Sequence, residues 1–186
     1  MSVQIARHFF TAAEYERMGK AGIFSEGKRV ELIEGEIVEM SPIGKRHAAC
    51  VARLTQFLSQ MLQGRAVVWV QNPILLNDYS EPQPDVTVLK PRADFYGQAL
   101  PTPEDVLLII EVSDSTLEYD RQIKVPMYAR AGVPEVWIVN LADERIETYA
   151  DLAGGDYQTS ASAGRGEEVG ARVVESLLLS VAEVLG

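Results

Sequence analysis

One cysteine, Cys50, stands among 186 residues. No intrachain disulfide can form, and a reducing, cytoplasmic setting is expected. Histidine is nearly as scarce, with two residues, so a zinc site built from His and Cys is not available. No apolar run approaches the ~20 residues of a bilayer-spanning helix. The opening "MSVQIARHFF" has neither a long apolar core nor a cleavage site, so no signal peptide and no membrane are expected. Internal repeats and linkers are absent, and the length suits one domain over 1–186. Positive charge is in deficit: 17 Lys and Arg against 27 Asp and Glu leave a net charge of −10. A protein that coats nucleic acid through bulk electrostatics is thereby disfavoured.

The charge that is present is uneven. From Asp143 to the end there are nine acids and three arginines, which reads as a solvated acidic half. Between Ser41 and Arg65 lie Lys45, Arg46, Arg53, Arg65 and one histidine, with no acid, so this stretch is the one suited to face a polyanion. Its sequence "GKRHAACVARLTQFLSQMLQGR" is also the clearest helix. Val51, Leu54, Leu58, Met61 and Leu62 form the apolar stripe, Gly64 ends it, and Arg46 and Arg53 sit on another face. Before it, Thr11 and Glu14 form a capping box for a short helix. "KRVELIEGEIVEMSP" alternates on both sides of Glu34-Gly35 and reads as a hairpin. After it come the strand-like "AVVWVQNPILL", "PDVTVL" and "VLLIIEV", a helix from Asp120 to Ala131 closed by Gly132, and the strands "EVWIVNL" and "ERIETY". "SASAGRGEE" reads as a surface loop. A last strand and short helix close the chain. A helix between two buried strands predicts a right-handed crossover and a mixed α/β sheet flanked by helices.

Three residues at strand and helix ends carry chemistry. Asp85 opens one strand and Glu111 closes another. Strand alternation places Asp85 with Thr87 on one face, and Leu107, Ile109 and Glu111 together on one face. If the strands are neighbours, the two carboxylates converge, and their repulsion in a half-buried cleft calls for a cation. Mg²⁺, or Mn²⁺ in its place, suits oxygen ligands. Lys124, beside the core-facing row Ile123, Met127 and Ala131, can reach toward Glu111. Pro126 loosens that helix's first turn and can re-aim it. Two carboxylates, a metal and a lysine make a set suited to phosphodiester hydrolysis. Taken singly, each has a plainer reading: Asp85 a turn residue, Glu111 the exposed end of a strand, Lys124 a surface partner of Asp120, His47 a histidine of the core.

In that order along the chain, "ELIEGEIVEMSP", "PQPDVTVL", "IIEVSDSTLEYD" and "KVPMYARAGVPEVWIV" resemble the Uma-type family of restriction-endonuclease-like proteins, within the PD-(D/E)XK nuclease superfamily. The resemblance implies a restriction-endonuclease-like αβββαβ core. It also implies Mg²⁺ held by Asp85, Glu111 and the backbone carbonyl of Val112, and a supporting acidic role for Glu31, with Glu34 as the fallback if the hairpin register differs. One position departs from the superfamily pattern. The strand lysine expected two residues after the acid is Ser113 here, and the resemblance places the lysine on the following helix, at Lys124. The expected function is a metal-dependent endonuclease acting on nucleic acid, DNA before RNA, with Arg46, Arg53 and Arg121 meeting phosphates. A binding module that keeps the fold without the chemistry is the alternative. A glycosidase using paired carboxylates gives Lys124 no role. Hairpin edges and the apolar Phe9 and Phe10 leave a homodimer open.

Overall fold

The computed structural model describes residues 7–25 and 27–186; the first six residues, on which the reading of the N-terminus partly rests, lie outside them. Helix α1 (Ala12–Lys20) opens on the expected capping box. The Glu14 amide donates to the Thr11 hydroxyl at 3.2 Å, and the Glu14 carboxylate accepts the Thr11 amide at 2.8 Å. Strands β1 (Val30–Ile33) and β2 (Glu36–Glu39) form the expected hairpin. Its turn residues Glu34 and Gly35 both have positive φ, 49° and 84°, the twist that suits a two-residue turn. Glycine is required at 35, because a Cβ there would lie 2.6 Å from that of Phe9. The resulting register pairs Glu31 with Val38 and buries Glu31.

Helix α2 (Lys45–Met61) buries Cys50, Val51, Leu54 and Leu58. A six-stranded sheet follows in the order β3 (Val67–Val70), β4 (Val86–Leu89), β5 (Val106–Ser113), β6 (Val136–Asn140), β7 (Arg145–Ala153) and β8 (Asp156–Gly164). β5 and β6 pair in parallel and all other neighbours are antiparallel. A parallel pair needs a crossover. It is supplied by α3 (Leu117–Tyr119), a π-helical turn (Asp120–Lys124) and α4 (Val125–Ala131). From α2 to β6 the order is the expected αβββαβ. A small hairpin of β9 (Glu168–Gly170) and β10 (Leu178–Ser180) leads into α5 (Val181–Leu185).

Two cores flank the sheet. On one face α2 and α5 pack over Val86, Val88, Leu108, Ile110 and Trp137. On the other, α4 and Ile33 of the hairpin pack over Leu89, Ile109, Val136 and Ile138. Among the described residues no helix is long and apolar enough to cross a membrane.

Three local expectations give way to the structure. Leu107 does not share a face with Ile109. Leu89 pairs with Val106 while Val88 pairs with Leu108, so Leu107 is the extra residue of a bulge and packs on the α2 side. The stretch 160–164 read as loop is the end of β8. Its small residues give no alternation signal, but they pair in register with Arg145 to Tyr149 of β7. The crossover helix begins at Leu117 and contains a π turn, in which the Val125 amide donates to the Asp120 carbonyl. Pro126, with no N–H to give, leaves the Gln122 carbonyl without its α-helical donor. The added residue rotates the helix face. Ile123, expected inside, is 39% exposed, and Lys124 is 5% exposed.

Candidate active site

The π turn places Lys124 at the C-terminal end of β5. Its ammonium lies 3.1 Å from Glu31 Oε2 and 3.2 Å from Glu111 Oε1. The surface pairing with Asp120 is therefore not what the structure holds, since both residues are buried. Burial alone would push the Lys124 ammonium toward its neutral form. The Glu111 and Glu31 carboxylates outweigh it and hold the pKa above the ordinary lysine value. Burial raises the Glu111 carboxyl to about 8; Lys124 opposes that rise, and Asp120 and Asp85 add to it. The Tyr128 hydroxyl, one α-helical turn beyond Lys124, donates to Glu111 Oε1 at 2.6 Å.

Asp85 and Glu111 meet across neighbouring strands. The Asp85 amide donates to Glu111 Oε2 at 3.3 Å, and the Val112 amide donates to Asp85 Oδ2 at 2.9 Å. Strand pairing of Val86 with Ile110 sets this juxtaposition. His47 Nε2 lies 2.9 Å from Asp85 Oδ2, and Gln71 Nε2 donates to Oδ1 at 3.1 Å. Burial would raise Asp85, but these hydrogen bonds from His47, Val112 and Gln71 bring it below the usual range. Gln71 does this from a positive φ of 50°, a strained position for a residue with a side chain. Asp120 Oδ2 accepts from Ser113 and Thr116, each at 2.7 Å, yet burial keeps its carboxyl raised.

Glu31, His47, Asp85, Glu111, Val112, Asp120 and Lys124 line one cleft of about 380 Å³, whose wall also takes in Arg29, the segment from Val38 to Gly44, and Asp114, Thr116 and Tyr119. Of the residues singled out in the sequence, it brings together Glu31, Asp85, Glu111, Val112 and Lys124. Glu34 is not among them and pairs with Arg130 at the hairpin tip. Arg46, Arg53 and Arg121 lie elsewhere. Arg46 donates to the Leu141 carbonyl at 2.7 Å, and Arg53 to the carbonyls of Val184 and Leu185. Arg121 forks onto Glu147 and also meets Glu118. The sequence reading missed three residues. His47 sits on the α2 stripe and looks like core. Tyr128 follows Lys124 by four residues, a spacing that pointed to it. Gln71 carries no signal short of the fold itself.

The donor set suits a hard cation. Four buried acids, Glu31, Asp85, Glu111 and Asp120, face one lysine, and such an excess is relieved by protons or by a cation. Asp85 Oδ1 and Glu111 Oε2 each accept one hydrogen bond among the described residues, which leaves each a lone pair. No group of three or more His, Cys, Asp or Glu side chains forms a ready metal cage among the described residues. Lys124 occupies the space between Glu31 and Glu111, so the pair Asp85 and Glu111 is the one left for an ion.

The αβββαβ core is the fold that the resemblance to restriction-endonuclease-like proteins implied. The chain belongs to the Uma2 family, described as "Putative restriction endonuclease", whose model matches residues 12–182. The fold is similar to the crystal structure of a "putative nuclease" from Anabaena variabilis, with a TM-score of 0.73 and 15% identity over 95% of this chain and 97% of that one. No curated protein matches in sequence.

Proposed function

We propose that the protein is a Mg²⁺-dependent nuclease that hydrolyses phosphodiester bonds in DNA. The observation that carries this reading is the buried Lys124 ammonium held between Glu31 and Glu111 beside Asp85. Burying a lysine among carboxylates at a cleft floor costs desolvation, and perturbed charged groups gathered in a cleft are what a catalytic site is built from. Asp85, Glu111 and the Val112 carbonyl would hold the ion, Mg²⁺ or Mn²⁺. Bound there, it would polarise the phosphoryl oxygens and acidify a coordinated water. Hydrolysis forms a bond from a water oxygen to phosphorus and breaks the bond from phosphorus to the leaving sugar oxygen. The proton lost by the water is balanced by the one gained by the leaving oxygen. Lys124, held protonated, cannot take up the water's proton. Its part is electrostatic, stabilising charge that grows on the phosphoryl oxygens. Glu31 fixes the ammonium, Tyr128 fixes Glu111, and His47 and Gln71 fix Asp85.

A second reading, a module that keeps the fold without the chemistry, is favoured by one observation: Glu111 already has three protein donors in Lys124, Tyr128 and the Asp85 amide. Calorimetry separates the two. Mg²⁺ or Mn²⁺ binding that Asp85→Asn abolishes supports the nuclease. Binding equal in wild type and variant removes Asp85 from the ion and sinks the assignment.

A further inference from the structure

We infer that this site takes a single flexible strand, and that a base-paired duplex does not enter it. The inference rests on the nuclease reading above, and three independent features support it. The first is access. Glu31, Asp85, Glu111 and Lys124 are all at most 8% exposed, so they form the floor of the cleft. A scissile phosphate must descend to that floor with its two neighbours, which a flexible chain does and a stiff helix, with a persistence length of about 150 bp, does not. The second is size. The cleft of about 380 Å³ falls at the low end of the ~300–1,000 Å³ that encloses one drug-sized molecule. That is room for about one nucleotide.

The third is charge. A duplex binder neutralises about 6–10 phosphates with lysine and arginine. Here Arg46, Arg53 and Arg121 are tied to backbone carbonyls and to Glu147, and Lys124 is held by its two carboxylates. Among cations on the cleft wall, that leaves Arg29, half-buried and without an ion-pair partner among the described residues. A net charge of −10 gives the molecule as a whole an overall field that opposes the approach of a rod-like polyanion. Arg29 is placed to receive the phosphate flanking the scissile one. Tyr119, half-buried and also lining the cleft, offers its ring to a base. An aromatic contact of that kind is open only to an unstacked base, and it is the usual means by which single strands are held without sequence preference.

The test uses the full chain with Mn²⁺ and four substrates: an end-labelled oligonucleotide, the same oligonucleotide in a blunt duplex, a supercoiled plasmid, and the small diester bis(4-nitrophenyl) phosphate. The single strand should be cut at least tenfold faster than the duplex. Its log kcat/KM should fall with log salt concentration at a slope no steeper than about −2, the value for two or three phosphates at ~0.7 each. Arg29→Gln should raise KM for the strand about tenfold with kcat little changed, and Arg29→Lys should recover part of the loss. Tyr119→Ala should also raise KM, and Tyr119→Phe should restore it. Duplex cut as fast as the single strand, or a salt slope near −6, overturns the inference and leaves the nuclease reading standing. No turnover of any substrate, the small diester included, overturns both.

Discussion

Replacing Lys124 with methionine keeps the aliphatic stem and removes the charge. The structure sets what should follow. Lys124 is 5% exposed and its ammonium lies 3.1 and 3.2 Å from Glu31 and Glu111, so its loss leaves two buried carboxyls facing each other. Removing one side of a buried ion pair costs about 3–5 kcal/mol. Glu111, whose carboxyl is already raised to about 8 by burial, can relieve part of this by binding a proton. The cost should therefore sit at the low end of that range below pH 8 and grow above it. Removing an electrostatic donor aimed at developing charge lowers turnover by about 10²–10³-fold. Metal affinity should be unchanged or higher, because a neighbouring cation opposes the ion. Urea melts report the stability change. Cleavage of labelled DNA, at a temperature where both proteins are fully folded, reports the rate. Activity within a few-fold of wild type in the folded variant would refute the electrostatic role and reduce Lys124 to a structural counter-ion.

The pH dependence of stability has a defined sign. Glu111 titrates higher in the folded state than its ordinary 4.5, so its contribution is full below about pH 4.5 and is lost as pH rises toward 8. Glu81, raised by burial to about 7, adds a slope of the same sign that is half spent at pH 7 and fades above it, so Glu111 carries the larger share of the slope between 7 and 8. Wild-type urea midpoints should fall from pH 5 to 8, and Glu111→Gln should flatten the stretch between 7 and 8; an unchanged slope there would exclude Glu111 as its source. Leu54, fully buried between α2 and the sheet, should cost about 2–5 kcal/mol when changed to Ala, measured by the same melts; a cost under ~0.5 kcal/mol would contradict its place in the core.

Much of the site was legible because it lies at ends. An acid at the start of one strand and an acid near the end of its neighbour need only antiparallel pairing of β4 and β5 to meet. The α2 stripe and the Glu34-Gly35 turn follow rules of period and conformation that act locally. What escaped has physical causes of longer range. The π turn at Asp120–Lys124 breaks the i, i+4 spacing, so Ile123 was assigned the inward place that Lys124 holds. The bulge at Leu107 interrupts strand alternation where apolar residues run on without a break. His47 sits where a core histidine would, and only the arrival of β4 at its ring turns it toward Asp85. Arg46, Arg53 and Arg121 read as phosphate contacts because the carbonyls and the carboxylate that engage them are distant in sequence, at Leu141, Val184, Leu185 and Glu147.

The central claim is that Asp85 and Glu111 hold a divalent ion that serves phosphodiester hydrolysis. Hydrolysis of a labelled single-stranded oligonucleotide by wild type, Asp85→Asn and Glu111→Gln, in Mg²⁺ or Mn²⁺ and again in excess chelator, tests it most directly. Wild type should cleave only with the metal, and both variants should lose at least ~10²-fold, on the scale of other removed electrostatic groups. Cleavage that survives chelation, or that either variant retains at the wild-type rate, would contradict the claim.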